Sequence, residues 1–363
     1  MDRRKMGSDI NGRSDTADVF KGILIFCVLF GHSVTMINEI RDIKWVNSAV
    51  DIFLTSFNMP AFGMVSGFFA YKSLNRRKTP IAVLGSRIKK LVPIIIFWDI
   101  IPMIIHFFTI EKPTSVMNLI QVIYSSIFSG GLWYIASFLT CSIGLIVYWV
   151  LEVKVFRDKW AFRIVLISTS IVFIHVFPLS FAYSTFLFPF YLIGYYICKY
   201  DLLNKNVFNK VIVVSGSLFP VLLFFYTPEI SFYWLDSFVL GNVSLEILGI
   251  FIYRFVCAIS GISAFYCLSK YGSSFFNKRI KEILVKFGGD SLQIYILSMY
   301  IQGALANFIR LFISPESLND MNILFSIAPL FCIILIFSSY LINRFLVKTI
   351  PFVAKYILGN NIK

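Results

Sequence analysis

Asp18, Lys21 and His32 fall within one apolar stretch, where ionisable side chains are costly and normally face a cavity or a partner. At 100° per residue, Lys21 and His32 differ by about 20° around a helix and Asp18 and His32 by about 40°, so all three share one stripe. A rise of 1.5 Å per residue puts Lys21 about 16 Å from His32 along the axis. That distance prevents Asp18 from orienting the imidazole. It suits an elongated ligand, with a cation at one end and an imidazole at the other. A neutral imidazole with an ordinary pKa of about 6.5 can take a proton from a hydroxyl. A satisfied buried histidine with a snorkelling lysine is the plainer alternative.

Other polar residues are thinly scattered through apolar surroundings. Asp51, Glu246 and Arg310 sit near the ends of their segments, and His106 is read as interfacial. Asp99 and His175 belong to no motif. Arg254 is a candidate to bind a substrate or to pair with Glu246. The run Phe57-Asn58-Met59-Pro60, followed by Gly63, Ser66 and Gly67, combines a helix-interrupting proline with small residues that allow close helix approach. Asn58 and Ser66 are candidate oxyanion donors there. Seven basic residues between Lys72 and Lys90, ending in Arg87, Lys89 and Lys90, suit an anionic cofactor or lipid headgroups. The six cysteines form no C-x-x-C pair and lie in apolar segments, where small packing residues are expected. No metal-ligand spacing appears, and no metal is expected.

The elements that must carry these residues follow from composition. Of 363 residues, 58% are hydrophobic and only 14% charged, too few charges to cover a water-facing surface. The fold class expected is all-α: a polytopic membrane helix bundle. Segments of about 20 apolar residues cross a bilayer, and ten candidates occur: 18–37, 49–71, 91–109, 131–151, 161–178, 182–199, 210–227, 246–268, 291–313 and 322–347. Segment 116–129 is too short and too polar to count among them. Basic residues alternate sharply between the connections, with 27 of the 33 on one side. Both termini are therefore expected in the cytoplasm. The formal net charge of +14 is then a topology signal, and no nucleic-acid partner is needed. The expected organisation is a polar N-terminus over 1–16, a single transmembrane domain over 17–347 and a C-terminal tail over 348–363. No cleaved signal peptide and no internal repeat is seen. The outer connection 228–245 carries aromatics and two acids but no base.

The motifs, taken in order, resemble the acyltransferase-3 family of integral membrane acyltransferases. Asp18-x-x-Lys21-Gly22 precedes Gly31-His32-Ser33, and Lys21 stands eleven positions before His32, as a basic residue does in that family. Phe57, Met59, Pro60, Phe62, Ser66 and Gly67 match its second motif. Arg87 to Pro93 matches a basic stretch running into proline, and Leu132-Trp133-Tyr134 an aromatic motif. Gly288, Ser291, Leu292, Ile294, Tyr295 and Leu297 match a motif near the C-terminus. The pattern looks closest to the fucose 4-O-acetylase-like and capsular polysaccharide O-acetyltransferase branch. Asn58 and Ser298 stand where the family often has histidine, so His32 is the one histidine carried over by a motif.

The resemblance implies transfer of an acetyl group from acetyl-CoA to a hydroxyl of a cell-surface or lipid-linked glycan, in a bacterial plasma or inner membrane. It implies His32 as general base, with an acylated histidine as the alternative route. Lys21, Arg87, Lys89 and Lys90 would hold the phosphorylated head of the acyl donor. Asn58, Ser66, Trp133, Tyr134 and Arg254 would face the acceptor. The partners expected are the glycan and the lipid bilayer. A transporter or flippase for a glycan or its lipid-linked precursor is the competing class; transporters often carry internal repeats, and none is seen in this sequence.

Overall fold

The computed structural model describes residues 15–40, 49–77, 79–106, 116–129, 132–152, 179–227, 245–272, 276–311 and 326–360. Among them no strand occurs, and seven helices are long and apolar enough to cross a membrane. The protein is an all-α polytopic membrane protein. Its helices are α1 (Asp15–Ile40), α2 (Ala49–Arg77), α3 (Pro80–Ile95), α4 (Ile101–His106), α5 (Val116–Ser129), α6 (Trp133–Val150) and α7 (Leu179–Lys199). They continue with α8 (Asn206–Phe224), α9 (Leu245–Lys270), α10 (Lys278–Gly289), α11 (Ser291–Arg310), α12 (Ala328–Thr349) and α13 (Pro351–Tyr356). Expected span 161–178 and residues 228–244 of the outer connection lie outside the described residues. Segment 116–129, left uncounted from its polarity, is helix α5.

Local chemistry explains several boundaries. Asp15 and Asp18 occupy the first turn of α1, where negative charge complements the helix dipole. Asn277 caps α10, its side chain accepting the Arg279 backbone N–H at 3.1 Å. Proline opens α3 and α13, where its missing N–H costs nothing. Proline inside α3, at Pro93, deprives one carbonyl of its donor. The helix continues into a π-type turn over Ile96–Ile100 before α4.

The chain divides into two compact units. The first contains α1, α2 up to Asn58, α8, α9 from Ile252 onward, and α10 to α12. Here α1 packs against α10, α11 and α12. Val34, Met36 and Ile37 of α1 form an apolar cluster with Ile309, Ala328 and Phe331. Phe57 stacks on Phe265 at 4.3 Å and meets Phe219 edge-on at 5.6 Å. At the other end of α1, two glycines interlock it with α10. A β-carbon on Gly22 would strike the Leu284 backbone, and one on Gly288 would strike the backbone of Asp18. The two helices touch main chain to main chain at these two points.

The second unit contains the rest of α2, α3 to α7, and residues from Pro351 onward. A close helix crossing recurs here: Gly67 of α2 lies on the Tyr191 carbonyl and Gly194 of α7 on that of Met64. Helix α6 packs between α3 and α7. Residues 351–360, expected as part of a tail, are folded onto α3. The Trp98 indole donates to the Ile357 carbonyl at 2.9 Å, and Leu358 is fully buried. Gly359 turns the chain with φ +66° against Ile94 and Lys90, a conformation that excludes most side chains.

Candidate active site

The N-terminal motif and the C-terminal motif meet in the first unit. Gly288 packs on the main chain at Asp18 and Gly22, so the interlocked glycines fix the turn of α1 that carries Asp18 and Lys21. Lys21 Nζ lies 2.7 Å from Asp18 Oδ1, with the carboxylate 2% exposed and the lysine 16%. Lys21 is therefore not a bare cation, and its charge is largely balanced within one helical turn. Sequence spacing, three residues apart, already permits that pair.

His32 sits partly buried further along the same helix. Its backbone carbonyl accepts a hydrogen bond from Gln302 Nε2 of α11 at 3.3 Å. Gln302 lies outside every motif in the sequence, and helical register alone gives no reason to single it out. One residue before His32, Gly31 lies against Leu54 of α2. Leu54 and Asn58 are one turn apart on α2 and share a face. Asn58 is buried, and its side-chain oxygen has no hydrogen-bond partner among the described residues. An unsatisfied buried acceptor of this kind costs about 1–3 kcal/mol, which a donor on a ligand would recover.

Arg254 is 1% exposed inside the first unit. It is hydrogen-bonded to the Tyr226 hydroxyl, and the Tyr226 ring lies 6.4 Å from that of Tyr253. The Tyr253 hydroxyl in turn bonds to the Leu222 carbonyl. Its proposed partner Glu246 has a side chain outside the described residues. The phenol partner, which follows α8 in sequence, is not recognisable from spacing.

The remaining predicted site residues belong to the second unit. Ser66 is partly buried on α2 beside Gly67. Phe62, from the same motif, meets Tyr134 at 5.9 Å, and Tyr134 packs on Phe138 at 4.1 Å and Trp133 at 5.7 Å. The second motif and the aromatic motif are thus joined through Phe62 and Tyr134. Asp99, which belongs to no motif, is buried in the π-type turn and accepts the backbone N–H of Leu132. Leu132 is the residue that precedes α6, so Asp99 steadies the start of the helix carrying Trp133 and Tyr134.

The three basic residues of α3 have different surroundings. Arg87 turns inward, its guanidinium donating to Ser142 Oγ at 3.0 Å and lying 6.0 Å from the Tyr191 ring centre. Ser142 and Tyr191 hydroxyls are 3.1 Å apart, which makes Arg87 part of the packing between α3, α6 and α7. Lys89 is exposed, and Lys90 is partly covered by Gly359.

The described residues thus define a multi-pass all-α membrane protein with a lysine and a histidine on its first span. A family model described as an acyltransferase domain matches residues 15–344. The chain belongs to that family, the acyltransferase-3 family, and the match covers all five motifs in order. Membrane acyltransferase activity follows from this membership. No curated protein and no solved structure matches the chain.

Proposed function

We propose that the protein is a membrane O-acyltransferase that moves an acetyl group from acetyl-CoA to a hydroxyl of a cell-surface or lipid-linked glycan, in the fucose 4-O-acetylase-like branch. The observation that carries this reading is the placement of Lys21 and His32 on one face of α1, about 16 Å apart along its axis, with the Lys21 end clamped by α10. A thin extended donor matches that spacing. Lys21, Arg87, Lys89 and Lys90 are assigned to its phosphorylated head. Asn58, Ser66, Trp133, Tyr134 and Arg254 are assigned to the acceptor and to the reacting carbonyl.

In this reading His32 is the catalytic base. The imidazole removes the proton from the acceptor hydroxyl as that oxygen attacks the thioester carbonyl carbon. The new C–O bond forms, the C–S bond breaks, and the leaving thiolate takes the proton from the imidazolium. An ester and free coenzyme A result. The Asn58 amide, buried on the helix whose Leu54 touches Gly31, is a candidate group to hydrogen-bond the reacting carbonyl or the donor's amide-rich arm.

Proton NMR of surface glycan tests this directly, in cells carrying the wild type or His32→Ala at matched protein abundance. Loss of O-acetyl signals from an otherwise unchanged polymer is the expected result. Unchanged signals in the variant would exclude His32 as base, and loss of the polymer itself would indicate transport.

A further inference from the structure

Helix α10 is held on two sides. Leu284 and Gly288 lie on α1, and Lys281 pairs with Asp15 at 3.7 Å. Phe287 packs on the rings of Phe337 and Tyr340 of α12, each at 5.5 Å, while Arg344 of α12 reaches Asp290 at 3.2 Å. The first two turns of α10 stay open on the flank that Phe287, further along the helix, turns to α12. Ile280 is 48% exposed and Ile283 39%, two large apolar side chains about 60° apart around the helix. Arg279 and Lys286, both exposed, lie within about 20° of each other and about 40–60° beyond Ile283. Glu282 faces about 40–60° further round again.

An apolar strip bordered by bases along its length has the pattern of a helix lying in a membrane interface. The isoleucines enter the acyl boundary, and the bases reach headgroup phosphates. Annular contact with neutral lipid would satisfy Ile280 and Ile283 but offer the two bases no charge beyond that of Glu282, three residues from Arg279 and four from Lys286. We propose that this flank of α10 is a seat for anionic phospholipid, with Arg279 and Lys286 gripping the headgroup phosphate and Ile280 and Ile283 lying on the first methylenes. The seat is on the same helix whose glycine fixes the Asp18–Lys21 turn, so bound lipid braces the base of the catalytic span.

The test uses the full chain carrying Ile283→Trp, in nanodiscs of phosphatidylcholine containing a fixed minority of brominated phosphatidylglycerol or brominated phosphatidylcholine. Fluorescence of the introduced indole is read as the difference from wild type. Brominated phosphatidylglycerol is expected to quench it more strongly, and Arg279→Gln with Lys286→Gln is expected to erase the preference, each base being worth about fivefold in local lipid binding. Lys210→Gln, an exposed base elsewhere in the same unit, is expected to leave it intact. Equal quenching by the two lipids would reduce the flank to ordinary annular contact and overturn the proposal. No quenching by either would show the face covered by protein, and relief by coenzyme A would give the bases to a soluble phosphate ligand; both overturn it. Native mass spectrometry of the wild type, counting retained phosphatidylglycerol against the Arg279→Gln, Lys286→Gln form, supplies the same decision if Ile283→Trp fails to fold. Neither readout involves acyl transfer, so failure here is distinct from failure of the acyltransferase reading.

Discussion

Asp18→Asn leaves the Lys21 ammonium beside a neutral amide in a poorly solvated turn. Removing one partner from a buried pair is worse than removing both. The partial exposure of Lys21 reduces the penalty, to about 1–3 kcal/mol. The double variant Asp18→Asn, Lys21→Met is expected to melt closer to the wild type than Asp18→Asn alone, in a thermal melt in detergent. Activity separates the two roles of Lys21. If it also holds the donor, Lys21→Met raises the KM for acetyl-CoA even where the double variant is stable. Asp99 offers a second contrast. Asp99→Asn keeps an acceptor for the Leu132 N–H and is expected to stay near wild-type stability, whereas Asp99→Ala loses about 1 kcal/mol and loosens Trp133 and Tyr134. His32 and Lys21 stood out in the sequence because charge is rare in apolar segments. Gln302 and Tyr226 did not, because their relevance depends on which helix lies beside them.

Helix contacts in this protein are set where side chains are absent. Gly288→Val would force α1 and α10 apart at Asp18, and overpacking of this kind costs about 1–3 kcal/mol or more. The expected outcome is a lower melting temperature together with lost acyl transfer, while Gly303→Ala, at a site with open space around it, changes neither. The apolar segments were visible from hydropathy because a bilayer demands about 20 residues of it. Their partners were not. Gly22 and Gly288 are far apart in sequence, and each reads as an ordinary small residue until the main chain of the other helix is seen against it. Segment 116–129, too short and too polar to count as a span, is a 14-residue helix and is not among the seven long enough to cross a membrane. The π-type turn after Pro93 was likewise hidden. The proline signals a lost hydrogen bond, but not which way the helix repairs it.

The five motifs are distributed over both units, and each unit is assembled from distant stretches of sequence. Order along the chain therefore conveyed the family but not the grouping: Asn58 and Ser66, neighbours in one motif, fall in different units. The C-terminal tail shows the same limit. Residues 348–363 read as a cytoplasmic tail, and that reading holds no sign that Ala354 and Leu358 are buried and belong to the second unit. Truncation after Ile350 removes those contacts and the partner of the Trp98 indole. It is expected to lower the melting temperature as loss of a core element does, by several degrees; an unchanged melt would mean that α3 stands without this cover.

That docking also orders events during synthesis. Residues 351–360 are translated after every residue they pack against, and after all of α8 to α12. Until they arrive, Trp98 of the π-type turn lacks the Ile357 carbonyl and Ile94 of α3 lacks its contact with Gly359, so the second unit stays unfinished although most of its helices were made long before. A chain interrupted before Pro351 would carry every motif of the family and still lack the residues that pack on Ile94 and Trp98. The turn at Gly359 therefore closes a contact that only a chain synthesised past Pro351 can make.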